Sequence, residues 1–148
     1  MSKLVVDATG NELTYQVIGA AMAVHNQLGP GLKEEVYERA LEVEINHREI
    51  PVHRQYPVTV EHLGEVVGIF YLDLWVADQV VVEVKAFSHQ LTNDEVAQVL
   101  NYLKATGASV GLLINFGRRR LEYRRIFPAQ SFGPVRRTGR DTFPKKQP

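Results

Sequence analysis

Asp73, Glu83 and Lys85 are the residues whose types and spacing first suggest chemistry. Asp73 lies within Ile-Phe-Tyr-Leu-Asp-Leu-Trp-Val (69–76), and Glu83-Val-Lys85 closes Val-Val-Val-Glu-Val-Lys (80–85). Both segments are rich in β-branched and aromatic residues, a composition that predicts strands. Ala77-Asp78-Gln79 between them reads as a turn, so the pair forms a β-hairpin. Alternation along a strand puts Tyr71, Asp73 and Trp75 on one face of the first, and Val81, Glu83 and Lys85 on one face of the second. A hairpin centred on Asp78 sets Asp73 opposite Glu83, with β-carbons roughly 4.5–5.5 Å apart. Two carboxylates so placed in an apolar setting repel and lose hydration. A positive group must relieve them, either Lys85 or a hard divalent cation held by oxygen. Taken alone, the pattern is also that of an ordinary charge pair on a solvated strand face.

Further candidates lie on two helices. Residues 33–49 predict a helix with Glu34 in its first turn. At about 100° per residue, Tyr37, Leu41 and Ile45 fall within roughly 60° of Glu34, at the edge of the buried stripe. Glu35, Glu38, Arg39, Glu42 and Glu49 form the charged arc. The position of Glu34 also complements the helix dipole, a purely structural reason for it to be there. Thr92-x-x-Glu95 is a capping box that opens a helix running to Thr106 and closed by Gly107. Val96, Val99, Leu100 and Leu103 make its apolar stripe, and Gln98 and Tyr102, one turn apart, share a flank. His25 lies at the apolar face of an earlier helix and reads as a buried structural histidine rather than a metal ligand.

These residues need a scaffold, and the remaining pattern supplies one. Residues 12–28 predict an amphipathic helix with Val17, Ile18, Ala21, Met22, Val24 and Leu28 as apolar positions, preceded by a Thr9-x-x-Glu12 capping box. Leu28-Gly-Pro-Gly31 ends it. Residues 52–62 alternate as a strand in which Pro57 marks an edge or a bulge. Residues 110–115 are nearly all apolar, as in the centre of a covered sheet, and 120–127 predict a final strand. The whole reads as one mixed α/β domain over residues 1–127, followed by a flexible basic tail over 128–148.

Composition sets limits on function. The 148 residues are 45% hydrophobic and 23% charged, ordinary globular values. No apolar run approaches a membrane span, no signal-peptide pattern opens the chain, and there is no cysteine, so a cytoplasmic protein without thiolate metal sites is expected. The net charge of zero conceals an asymmetry. Residues 1–117 hold 7 Lys/Arg against 15 Asp/Glu, whereas residues 118–148 hold 10 against 2. The acidic body suits a metal site and the basic end a polyanion.

Gly31-Leu-Lys-Glu34-Glu-Val-Tyr37, preceded by Val24-His25-x-x-Leu28-Gly-Pro-Gly31, resembles the motif of the GxxExxY family. Asp73, Glu83-Val-Lys85 and Leu-Leu-Ile-Asn-Phe116 follow in the order of that family, so the resemblance covers roughly residues 11–127. The family is similar to a branch of the PD-(D/E)XK nuclease superfamily, with Leu72 where the proline of that name would stand. Gln98-x-x-x-Tyr102 resembles the QxxxY motif of the superfamily's exonuclease branch. The resemblance implies a restriction-endonuclease-like fold, a central mixed β-sheet flanked by helices. It also implies Mg²⁺- or Mn²⁺-dependent hydrolysis of phosphodiester bonds. Asp73, Glu83 and the Val84 carbonyl would hold the ion, and Glu34 would reach a bound water or a second ion. Lys85 would position the water or stabilise transition-state charge. Gln98 would orient Lys85 or the substrate, and Tyr102 would bond a phosphate or pack beneath the site. The implied partner is nucleic acid, DNA ahead of RNA, with a protein partner adding grip that the acidic body lacks. The alternative is a non-catalytic nucleic-acid-binding or protein-interaction module on the same fold.

Overall fold

The computed structural model describes residues 11–128. The cap expected at Thr9 and all but the first residue of the expected tail lie outside them. Helix α1 (Asn11–Leu28) and helix α2 (Glu34–His47) are followed by strands β1 (Val52–His62), β2 (Glu65–Val76) and β3 (Val80–Lys85). Helix α3 (Asn93–Thr106) then leads to β4 (Val110–Asn115) and β5 (Glu122–Ile126). The five strands form one sheet in the order β1-β2-β3-β4-β5. All neighbours are antiparallel except β3 and β4, which are parallel and joined through α3. A parallel pair needs a crossover of this kind, and the helix supplies it. The sheet is therefore mixed and flanked by helices, as expected. Among the described residues, no helix is long and apolar enough to cross a membrane.

Each face of the sheet has its own apolar core. On one side Val17, Ala21 and Val24 of α1 and Tyr37, Leu41 and Ile45 of α2 pack with Leu74, Val76, Val80, Val82, Val84, Leu112 and Ile114. On the other, Val99 and Leu103 of α3 pack with Leu72, Trp75, Val81 and Leu113. Strand β4 is buried throughout, as its apolar run predicts for a strand covered on both faces. Met22 and Leu28 of α1 are exposed, off the buried stripe expected for them. Helix α2 stops at His47, two residues before its expected end, and Glu49 has a φ of 62°, which no α-helix accommodates. Thr92 and Glu95 form the expected capping box, and Gly107 ends α3 in the left-handed region at φ 76°.

The hairpin turn fixes the β2–β3 register. Val76 pairs with Val80, Trp75 with Val81 and Leu74 with Val82, the register of a hairpin centred on Asp78. Simple alternation fails farther along β2. Leu72 and Trp75 both belong to the α3-side core, whereas Leu74 between them belongs to the opposite one. Tyr71 is exposed, so Tyr71, Asp73 and Trp75 do not share a face as alternation predicts. The adjoining strand has an unusual backbone at the same level: Gln55, between the Arg54–Leu74 and Tyr56–Leu72 pairs, has a φ of 55°. The phase change falls at Asp73, and it frees that side chain from ordinary sheet packing.

The segment after Lys85 is held by close backbone packing. A β-carbon on Gly117 would lie 2.5 Å from the Ala86 carbonyl carbon and 2.6 Å from that of Phe87. Gly117→Ala is therefore expected to displace the segment and to destabilise the fold by about 1–3 kcal/mol, the usual range for overpacking. Urea unfolding checks this; an unchanged midpoint would show that the segment yields freely.

Candidate active site

Asp73 sits where regular β2–β3 pairing stops. The Val84 N–H donates to Asp73 Oδ2 at 2.8 Å, so the carboxylate takes up a main-chain donor next to the ladder. Glu83, one residue earlier on β3, is 4% exposed. Its Oε2 lies 3.6 Å from Lys85 Nζ, consistent with Glu83 and Lys85 on one face of the strand. Its Oε1 is buried and has no hydrogen-bond partner. An orphaned carboxylate oxygen is costly, because burial removes water without a replacement.

Helix α2 brings acidic groups from the other side. Glu34, in its first turn, is exposed as a residue, yet its carboxyl is raised from the ordinary value by partial desolvation. Lys85 opposes that shift and Glu38 adds to it. Glu38 is buried, not part of a solvated arc as its helical position suggested. It accepts from Gln55 Nε2 and pairs with Arg54 Nη1 at 3.3 Å, while Arg54 Nε reaches Glu42 at 3.5 Å. This cation and this amide come from neighbouring positions on β1, which explains how α2 tolerates a buried carboxyl there. The spacing carried the missed signal: Glu38 follows Glu34 by four residues, so the two share one helix face.

The four carboxyls shift in the same direction. Glu83 is pushed up to about 8, chiefly by burial and then by Asp73, with Lys85 acting against both. Asp73 is raised by burial; the Val84 N–H counters this and Glu34 reinforces it. Glu38 is raised by burial and then by Asp73, against the pull of Gln55 and Arg54. The common and largest cause is burial, to which the neighbouring carboxyls add while Lys85 and Arg54 oppose.

Helix α3 closes the cluster. Gln98 Nε2 donates to the Tyr102 hydroxyl at 2.8 Å, so the pair predicted to share a flank is directly bonded. Tyr102 stacks on Phe70, with ring centroids 4.5 Å apart. Its phenol is pushed up to about 12 by burial and then by the charge of Glu83. Glu83 and then Asp73 act on the Tyr102 phenol through space, while Gln98 bonds Tyr102; among the described residues no bond from Gln98 to Lys85 supports the expected orienting role.

The flanking motif residues serve as framework. The Tyr37 hydroxyl donates to the Gly29 carbonyl and accepts from the Leu32 N–H at 3.1 Å, and its ring stacks on Phe116 at 4.8 Å. It therefore pins the Gly-Pro-Gly loop that leads into Glu34. His25 is buried and its Nε2 donates to the Arg118 carbonyl at 2.8 Å, the structural role expected of it. Asn115 has a part that the sequence reading did not assign. Its Oδ1 accepts from Phe87 N at 2.8 Å and Gly117 N at 3.1 Å, and its Nδ2 donates to the His89 carbonyl at 3.1 Å. A single amide at the end of an otherwise apolar strand was the available signal, since a buried polar group requires partners.

The donor chemistry fits a hard divalent cation. The cluster offers carboxylate oxygens without sulfur or imidazole, and Glu83 Oε1 lacks any partner. Among the described residues, no three His, Cys, Asp or Glu side chains already stand together as a metal site. Glu83 is turned toward Lys85 and Asp73 toward the Val84 N–H instead.

Residues 11–126 match the PD-(D/E)XK nuclease superfamily. The chain belongs to that superfamily. A solved structure described as "Crystal structure of SSO0001" is similar in fold, with a TM-score of 0.52 and 14% identity. The likeness covers 64% of this chain and 49% of that one, so this chain spans about half the length of its structural neighbour. No curated protein matches.

Proposed function

We propose that this protein is a divalent-metal-dependent nuclease of the GxxExxY branch, hydrolysing phosphodiester bonds of nucleic acid in the cytoplasm. One observation carries the reading: the buried, unpartnered Glu83 Oε1 beside Asp73 and Lys85, in a chain of this superfamily. Asp73 and Glu83, with the Val84 carbonyl, would hold Mg²⁺ or Mn²⁺, and Glu34 lies next in reach. When bound, the ion would neutralise phosphate charge and activate water for attack.

The remaining roles belong to the side chains. Lys85 supplies a positive charge for the oxygens that become more anionic as phosphorus gains its fifth ligand. The Tyr102 hydroxyl accepts from Gln98 and stays protonated, so its own proton is free for a phosphate oxygen. Glu38, itself held by Gln55 and Arg54, lies next to Asp73 and interacts with it directly. DNA is placed ahead of RNA on the resemblance alone.

A second reading has one observation in its favour. Lys85 pairs with Glu83 and no three-ligand metal group stands ready, as in a fold kept for binding without turnover. A panel of single- and double-stranded DNA and RNA, with Mg²⁺, Mn²⁺ or chelator, separates the two. Metal-dependent cleavage that disappears in Asp73→Asn is the expected result. Wild-type protein that binds these substrates without cutting any of them would leave the binding module.

A further inference from the structure

A cavity of about 800 Å³ is lined by Pro30, Ser88 and the turn Gly117-Arg118-Arg119-Arg120-Leu121-Glu122. Its walls belong to segments that adjoin site residues along the chain. Pro30 lies in the loop before Glu34, Ser88 follows Lys85 by three residues, and the turn follows Asn115, the residue paired with Lys85 across β3 and β4. The framework is fastened. Asn115 ties the Phe87 and Gly117 amides together, and Glu122 accepts the Leu91 N–H at 3.1 Å.

The arginines differ in what they have left to offer. Arg118 lies 3.6 Å from Glu122, Arg124 donates to the Leu91 carbonyl, and Arg125 donates to Thr14 at 2.8 Å. Arg119 and Arg120 are exposed and, among the described residues, have no hydrogen bond or ion pair. They are two unneutralised guanidinium groups on a braced turn, at the margin of a body that carries 7 basic against 15 acidic residues over positions 1–117. A polyanion would be repelled by most of that body, and guanidinium groups suit phosphate by geometry as well as charge.

We propose that this pocket grips internucleotide phosphates of the substrate next to the cut, with Arg119 and Arg120 as the phosphate contacts. The inference rests on the nuclease reading for its substrate class. It assigns the pocket a positioning role without base readout, because phosphate contacts carry no sequence information. The strand would be held at the arginine turn while Lys85 and the carboxylates face the adjoining phosphate.

The test is fluorescence anisotropy with a labelled DNA duplex and a labelled single strand, over a salt series, with Ca²⁺ replacing Mg²⁺. The double variant Arg119→Ala/Arg120→Ala should weaken duplex binding by about tenfold and lower the log–log salt slope by about 1.8, the loss of two phosphate contacts. Arg119→Lys/Arg120→Lys should keep most of the slope, and Lys104→Ala, on α3 away from this pocket, should leave it unchanged. Wild-type slope in the double alanine variant overturns the proposal, as does an equal loss in Lys104→Ala. If that happens while wild type still cleaves, the pocket assignment fails and the nuclease reading survives. Wild type that binds through these arginines yet never cleaves sinks the nuclease reading and keeps the pocket. Wild type that binds neither probe overturns the pocket, and the nuclease reading falls with it only if no DNA or RNA in the cleavage panel is cut.

Discussion

Lys85→Ala is expected to reduce cleavage by about a hundredfold or more, the scale of losing one electrostatic stabiliser in the transition state. Substrate binding should change far less. A group used chiefly as charge develops on phosphorus affects rate more than ground-state affinity. Metal binding should persist, because Asp73 and Glu83 both remain. Lys85 Nζ lies near Glu83 Oε2, so its removal takes away the carboxylate's present partner and leaves that oxygen open to a cation. Single-turnover cleavage beside isothermal calorimetry measures the two effects separately. Equal cleavage by purified wild type and variant would show that chemistry occurs elsewhere, with a contaminating nuclease as the first suspect.

Glu83→Gln is expected to have opposite effects on the bare protein and on its response to metal. An ordinary glutamate ionises near 4.3, whereas Glu83 in the folded protein is raised to about 8, chiefly by burial. Between those values the folded state holds a proton that the unfolded chain has released. Stability of the metal-free protein should therefore fall as pH rises from about 4.5 to about 8, by up to about 1.4 kcal/mol per pH unit for this one group. Asp73, Glu34 and Glu38 are raised as well, so they add to the same trend. Glutamine cannot ionise, and Glu83→Gln should flatten the slope and melt higher than wild type at pH 8 without metal. With Mg²⁺ or Mn²⁺ the order reverses. A cation needs the ionised carboxylates, so its affinity should rise toward pH 8, with protons released on binding. Wild type should then gain melting temperature through preferential binding to the native state, a gain that Glu83→Gln should largely lose. Calorimetry that detects no divalent binding to wild type at millimolar ion would remove the metal site.

Much of the framework was legible because its causes are local. Thr92, Glu95 and Gly107 carry their own hydrogen-bonding and backbone preferences, and the structure has α3 start and stop at them. The Ala77-Asp78-Gln79 turn dictates the neighbouring pairs, so β2 and β3 meet in the expected register. Gln98 and Tyr102 meet because helical geometry places residues four apart side by side.

Legibility ended where distant segments decide the outcome. Leu72 and Leu74 should share a face by alternation, yet they enter opposite cores around Asp73, level with the unusual backbone of Gln55 on the adjoining strand. Glu38 looked solvated on its own helix; Arg54 and Gln55 of β1 are what permit its burial. The arginine turn follows Asn115, which pairs with Lys85 only because the α3 crossover lays β4 parallel to β3. By itself, then, the sequence determined the element types, the hairpin register and most of the candidate chemical groups, since propensity, capping and periodicity act over a few residues. Tertiary structure alone decided which carboxyls are buried together, which side chains brace them and which arginines remain unpaired. Burial and electrostatics act through space, and residues far apart along the chain supply most of the surroundings that set them.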